Sequence, residues 1–153
     1  MTQEHIMKRR MIRAVVLFVV TLIALLVFIG LYTDEKKRVQ ETYRAQFNTH
    51  MHQASVSISS YLNAEGDLPL RYRVILSDVS GADCFAFLMT GLTEEQKITV
   101  NELHACLLKY PEQMQDRERL TQMQTACQHI SENLDKGFEE AAAIVDAIDK
   151  KGY

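Results

Sequence analysis

The chain has 153 residues, of which 47% are hydrophobic and 24% are charged, and its formal net charge at pH 7 is −3. This length is typical of a single domain of about 100–150 residues with a short extension. Residues 33–153 carry thirteen basic and nineteen acidic side chains. Because nucleic-acid binding requires Lys and Arg to replace the counterions of phosphates, this acidic balance excludes nucleic acid as an expected partner.

One apolar segment, AVVLFVVTLIALLVFIGLY, covers residues 14–32 without a charged side chain. As a helix with a rise of ~1.5 Å per residue, it would match the roughly 30 Å hydrocarbon core of a bilayer. A cleaved signal peptide has a shorter apolar core and a small-x-small cleavage site, whereas bulky Leu31 and Tyr32 precede Thr33 here. The sequence therefore predicts a retained signal anchor, and the lipid bilayer is its first expected partner.

Basic residues flank this segment on both sides. Lys8, Arg9, Arg10 and Arg13 precede it, and Lys36, Lys37, Arg38 and Arg44 follow it. The Lys/Arg count used by the positive-inside rule is therefore tied. Because the first cluster adjoins the apolar run while Asp34 and Glu35 come first on the far side, we expect a cytoplasmic tail (1–13) and an extracytoplasmic domain (33–153). The predicted location is the cell membrane, crossed once.

The apolar period after the segment is that of a helix. Apolar or aromatic residues recur every three or four positions, at Val39, Tyr43, Phe47, Met51, Ala54, Ile58 and Tyr61. The membrane helix is therefore predicted to continue to about Leu62. Gly66 is predicted to follow it as a left-handed cap, and Pro69 to lie in the first turn of the next helix.

Two further helices are predicted in the middle of the chain. Residues 70–90 have a helical period, although 71–76 also fit a strand, and a lone strand would leave its edges unpaired. Thr93 and Gln96 have the spacing of a capping box, so the next helix begins there. It is predicted to end at Tyr110, before Pro111.

The last predicted helix follows Pro111 and has the most regular apolar stripe in the chain. Its members are Leu120, Met123, Cys127, Ile130, Leu134, Phe138, Ala141, Val145 and Ile148. The stripe keeps its phase across Gly137, although glycine lowers helix stability. The predicted fold is all-α, with one transmembrane helix continuing into an antiparallel, four-helix-like bundle. Two alternatives are open: the long first and last helices could pair with copies of themselves as a parallel coiled coil, or a wide stripe could serve both an internal core and a dimer seam.

Three cysteines, Cys84, Cys106 and Cys127, lack the spacing of a zinc site. In an up-down bundle, Cys84 and Cys127 lie at similar heights, which makes them the best-matched disulfide pair and leaves Cys106 over. The alternative is that all three are buried as small apolar side chains.

Histidines occur only two positions from a second potential ligand, at His50 with His52, His104 with Cys106, and Cys127 with His129. Residues two apart on a helix point in different directions, so these pairs predict neither a metal site nor a catalytic pair. Phosphate-binding loops and hydrolase motifs are also lacking in the sequence. No cofactor is therefore predicted.

The architecture over roughly residues 14–150 resembles the sensory half of bacterial chemoreceptors and histidine kinases, without a shared sequence motif. With only residues 1–13 expected in the cytoplasm, we expect no output module of its own. The leading hypothesis is a non-enzymatic bacterial envelope protein that binds a protein partner or a second copy, or assembles a membrane complex. The alternatives are a sensory bundle holding a small molecule near Tyr72 or Phe87, and an enzyme using a Cys106 thiolate.

Overall fold

The computed structural model describes residues 3–64, 66–133 and 135–150, with side chains from residue 7 onward. These ranges form six helices: α1 (Gln3–Leu62), α2 (Leu68–Leu88), α3 (Glu94–Lys109), α4 (Pro111–Met114), α5 (Arg117–Ser131) and α6 (Lys136–Asp146). They contain no strand. The all-α prediction is confirmed, and the strand alternative for residues 71–76 is wrong.

The chain divides into two compact units, Met1–Val39 and Gln40–Tyr153. In the described part of the chain, α1 is the one helix that is long and apolar enough to cross a membrane. Its most apolar 18-residue window has a mean hydropathy of 3.2, and none of that window is buried. A segment of this composition near the amino terminus is suited to serve as a membrane anchor or as a signal sequence.

Two threonines of the first unit, Thr21 and Thr33, donate hydrogen bonds within their own helix. Thr21 donates from Oγ1 to the carbonyl of Leu17 at 2.9 Å, and Thr33 donates to the carbonyl of Ile29 at 2.5 Å. Because lipid offers no partner for a hydroxyl, this back-bonding is what makes a threonine tolerable in an apolar segment.

The second unit is organised around one cluster of buried apolar side chains. From α1 it receives Phe47, Met51, Ala54 and Ile58, none more than 2% exposed, and Tyr43 and Tyr61 pack against it. The stripe predicted after residue 39 is therefore a core stripe. Helix α3 packs against α2 and α6, and α5 packs against α6.

The helix ends agree with the sequence at one boundary and differ at another. The capping box is formed: Thr93 accepts from the amide of Gln96, and Gln96 Oε1 accepts from the amide of Thr93. The prediction for Gly66 is wrong, because the residue with a left-handed backbone is Asp67, with φ 59°. Aspartate tolerates this region because its short side chain can hydrogen-bond locally.

The long helix predicted after Pro111 is instead three helices, α4, α5 and α6. Helix α5 begins with Asp116 as its N-cap, which accepts from the amides of Glu118 and Arg119. It ends before Asn133, whose φ of 61° is left-handed, as is typical just after a helix. The apolar period hid this break, because the residues on either side of it happen to stay in phase.

The predicted stripe lies in the core of the second unit. Leu120, Met123, Cys127, Ile130, Phe138, Ala141, Val145 and Ile148 are all buried, with at most 9% exposure. Leu134, the remaining member, lies outside the described residues. The described members are therefore covered by the chain itself and do not provide a seam for a second copy.

A glycine allows α5 and α6 to pack closely. A Cβ atom built on Gly137 would lie 2.7 Å from the amide nitrogen of Ile130 and 2.9 Å from the carbonyl oxygen of Ala126. Real Cβ atoms essentially never come this close to backbone, so only glycine fits at this position. The residue that the sequence marks as weakening the helix is required by its packing.

Candidate functional site: the surface of α2 and α3

Exposed apolar side chains of the second unit are concentrated on two helices. Eight large apolar side chains after residue 39 are exposed in the described ranges, and seven of them lie on α2 or α3. These seven, here called the α2–α3 apolar surface, are Leu68, Leu70, Val74, Phe87, Leu88, Ile98 and Leu108. Single exposed apolar residues are ordinary, but a concentration on two packed helices is typical of an interaction surface.

Helical geometry places some of these residues on shared faces of their helices. Leu70 and Val74 are one turn apart, and Leu88 lies five turns beyond Leu70, on the same side of α2. Ile98 and Leu108 are ten residues apart and lie within about 80° of each other around α3. Phe87 is 56% exposed and Leu108 is 60% exposed, although both are side chains that burial would stabilise by about 1.5–3 kcal/mol.

A polar cluster connects the same two helices. Asp83 of α2 is only 7% exposed, and its Oδ2 accepts from Nδ2 of Asn101 at 3.1 Å. Nδ1 of His104 lies 2.9 Å from the same oxygen. Because burying an unpaired carboxylate is costly, the two α3 side chains make the position of Asp83 tolerable.

The Asp83–His104 pair resembles the orienting half of a metal or catalytic site, in which a carboxylate fixes an imidazole. The described residues contain no group of three or more His, Cys, Asp or Glu side chains that could hold a metal ion. In the same ranges, the hydrogen bond of His104 is to Asp83, not to a hydroxyl or thiol. The hydrogen bonds of Asp83 with Asn101 and His104 connect α2 to α3.

A second imidazole–carboxylate pair links α5 to α6. Nδ1 of His129 lies 2.6 Å from Oε2 of Glu140. The two pairs use His104 and His129, the histidines that the sequence had paired with nearby cysteines. Their actual partners are carboxylates on neighbouring helices, which a search for local spacing does not find.

The three cysteines are free thiols. Cys84 is exposed, whereas Cys106 and Cys127 are buried, so the predicted Cys84–Cys127 disulfide is not formed in the structure. Cys84 lies on the outer side of α2, while Cys127 lies in the core. Burial raises the pKa of the Cys106 thiol, and it raises the pKa of Cys127 to about 12.

The structure does not bring Tyr72 and Phe87 together in a ligand pocket. They are fifteen residues apart on α2, a separation of about 22 Å along the helix. Tyr72 is buried, and its hydroxyl donates to the carbonyl of Leu107 at 2.7 Å. Tyr72 therefore serves the core, and Phe87 belongs to the exposed surface.

A small cavity of about 110 Å³ lies elsewhere in the second unit. Its lining includes apolar Phe47, Ile130 and Phe138, and polar Arg44 and Asn133. Arg44 donates from Nε and Nη2 to Oδ1 of Asn133, at 3.2 and 2.9 Å. These contacts hold the left-handed residue that separates α5 from α6.

Sequence reasoning missed both the α2–α3 apolar surface and the Asp83 cluster. A signal for each was available: Leu70, Val74 and Phe87 lie off the inward period of α2, and Asp83 follows Ala82 on its buried side.

No protein-family model matches the chain, and no curated protein or solved structure is significantly similar to it.

Proposed function

We propose that the chain is a single-pass, membrane-anchored, non-enzymatic protein whose helical domain binds a protein partner through the α2–α3 apolar surface. The observation that carries this proposal is the concentration of exposed apolar side chains on α2 and α3, seven of the eight after residue 39 in the described ranges. Exposed apolar area is unfavourable in water, and it is a common feature of surfaces that a partner covers.

The proposed anchor is the apolar segment at residues 14–32, retained after synthesis, with the amino terminus cytoplasmic and the domain extracytoplasmic. Its length suits the hydrocarbon core of a bilayer, and its side chains are exposed along the described helix. The Lys/Arg counts on the two sides are equal, but the basic residues adjoin the segment at its amino-terminal end, whereas Asp34 and Glu35 come first on the far side, which favours the cytoplasmic side for the amino terminus. An envelope location follows from this orientation.

The proposed arrangement of the domain is an antiparallel, four-helix-like bundle, with α4 as an additional short turn. Hydrogen bonds support this arrangement for α1 and α2: Gln40 donates to the carbonyl of Leu88, and Ser57 donates to Asp78. Partners therefore move towards the start of α2 as α1 proceeds, which is the pattern expected of antiparallel neighbours.

The chemistry of the thiols supports a non-enzymatic function. A cysteine attacks as its thiolate, and burial raises the pKa of both Cys106 and Cys127, which disfavours the thiolate form. The Cys106 nucleophile considered from the sequence is thus in an unfavourable environment.

Site-specific photo-crosslinking in native membranes tests the protein-binding proposal. A photoreactive residue at Phe87, Ile98 or Leu108 is expected to give covalent adducts with a protein. The matched control positions are Glu118 and Gln128, which are exposed on α5. Equal adduct formation at the controls, or no adduct at the three apolar positions, would contradict the proposal. The mass of the adduct distinguishes a second copy from a different protein.

A ligand-binding sensory domain that reports through a partner is the second candidate, and the cavity lined by Arg44 and Asn133 favours it. Its volume of about 110 Å³ is below the roughly 300 Å³ of ordinary ligand pockets, so the ligand would have only a few heavy atoms. A ligand present at a hundred times its dissociation constant should stabilise the full chain by about 2.7 kcal/mol. A thermal-shift screen of small carboxylates and amides in detergent, repeated with Arg44→Gln, measures this effect.

A further inference from the structure

Four basic residues occupy the helical turn and a half that precedes the apolar segment. Lys8, Arg9, Arg10 and Arg13, here called the basic cluster, are all helical and exposed. At about 100° per residue, the three arginines fall within an arc of about 100° on one side of α1. Met11 lies on the opposite side, so the guanidinium groups form one cationic face next to the apolar span.

The basic cluster and the cations on the other side of the segment differ in their side-chain partners. Among the described side chains, no carboxylate pairs with any member of the cluster. On the far side, Arg38 pairs with Glu35 at 3.0 Å, and Nζ of Lys36 lies 4.9 Å from the centre of the Tyr32 ring. Among the described side chains, the cations with a carboxylate partner therefore lie on the far side of the segment.

We propose that the basic cluster binds the phosphate headgroups of anionic lipids in the leaflet that surrounds residues 8–13. The inference rests on the proposed membrane anchor. An apolar span beginning at Ala14 would hold Arg13 and Arg10 at headgroup depth, where a guanidinium can bind a phosphate oxygen with two N–H groups. Each basic residue close to an anionic membrane surface increases the affinity for that surface about fivefold.

The position of the basic cluster, directly before the apolar segment, favours a lipid over an acidic protein as its partner. The cationic face adjoins the apolar segment without an intervening polar turn, so a headgroup reaches it with no additional chain folding. Glu4 is the sole acidic residue before the segment, and residues 1–13 carry a net charge of +3. Residues 33–44, by comparison, carry four basic and three acidic side chains.

The test uses the full chain reconstituted in phosphatidylcholine membranes that contain a minor fraction of phosphatidylglycerol. Electron paramagnetic resonance of spin-labelled lipids measures the association of each lipid with the protein. We expect phosphatidylglycerol to be preferred about threefold or more, and the preference to disappear in about 1 M salt, where the screening length is roughly 3 Å.

Three variants separate the basic cluster from general charge effects. Lys8→Gln combined with Arg9→Gln, Arg10→Gln and Arg13→Gln is expected to abolish the preference. Lysine at the three arginine positions should retain only part of it, because lysine keeps the charge but lacks the planar pair of N–H donors. The matched control, Lys36→Gln with Lys37→Gln and Arg38→Gln, should leave it unchanged. Equal association of the two lipids with the wild-type chain, or an equal loss in the control, would overturn the inference.

Extraction with alkaline carbonate distinguishes a failure of this inference from a failure of the proposed anchor. A chain that stays in the membrane pellet but shows no lipid preference overturns the lipid site alone. A chain released into the supernatant overturns the anchor, and the lipid site with it.

Discussion

Replacing Gly137 with alanine is expected to destabilise the second unit, although helix propensity alone predicts the reverse. Alanine is preferred to glycine within a helix by up to about 1 kcal/mol. The added Cβ would, however, lie 2.7 Å from the amide nitrogen of Ile130, 2.8 Å from its Cγ1 and 2.9 Å from the carbonyl oxygen of Ala126. Two of these three atoms belong to the backbone of α5, so the clash is relieved only by moving one helix away from the other.

Overpacking of this kind costs about 1–3 kcal/mol, so the net loss in the free energy of unfolding should be about 1–2 kcal/mol. For a unit the size of Gln40–Tyr153, each 1 kcal/mol corresponds to roughly 3–6 °C in Tm. The expected decrease in Tm is therefore about 5 °C. Because the contacts are with backbone, a smaller side chain at Ile130 should not restore the loss.

The buried thiols provide an assay for this change. In a Cys84→Ser background, which removes the exposed thiol, a fluorogenic thiol reagent reports the unfolding that uncovers Cys106 and Cys127. Gly91→Ala is the matched control, since a Cβ there would meet nothing within 4 Å and Gly91 does not have a positive φ. An unchanged or raised Tm for Gly137→Ala would refute the close packing of α5 and α6.

Three other outcomes are expected. Gly81→Ala should destabilise the second unit, because the added Cβ would lie 2.7 Å from the His50 ring. This clash is with a side chain and not with backbone. Adding His50→Ala should therefore restore much of the lost stability, as measured by a double-mutant cycle of thermal unfolding. Asp83→Ala should cost about 1–3 kcal/mol in chemical denaturation, since it leaves donors of α3 unpaired at a partly buried contact, and a cost near zero would argue against the cluster. Burial raises the pKa of Cys127 from 9.0 to about 12. The stability that the buried neutral thiol contributes is therefore fully present below about pH 9 and is lost as the pH rises towards 12. Cys127→Ala should make the fall in Tm over this range shallower than in the wild type.

The inward faces of the helices could be predicted from the sequence because burial follows a period. Spacing alone places Phe47, Met51 and Ile58 on one stripe, and all are buried. The capping box at Thr93 was also predictable, because its two hydrogen bonds are formed between residues three apart.

The break between α5 and α6 could not be predicted in the same way. Ile130 and Phe138 are eight residues apart and both buried, so the apolar spacing fits one helix as well as two. The break depends on Asn133, whose left-handed backbone is held by hydrogen bonds from Arg44 and Asn48 on α1. Partners 85 or more residues away in sequence leave no local signal.

The exposed surface was missed for a different reason. Periodicity identifies residues that point inward, and it does not single out exposed apolar residues such as Val74 or Leu108 when a helix already has a complete inward stripe. The Asp83 cluster was missed because its partners lie on another helix, and local spacing cannot predict which helices pack together.

Helix α1 contributes side chains of its second half to the core, and this limits how a fragment of the domain can be made. Phe47, Met51 and Ile58 are all buried among residues that follow Leu62 in the chain. A fragment that begins at α2 would expose the sites that these side chains fill, and it should aggregate. The smallest soluble fragment of the domain therefore begins near Gln40, inside a helix, and its first turn would need a new cap in place of the turn that normally precedes it.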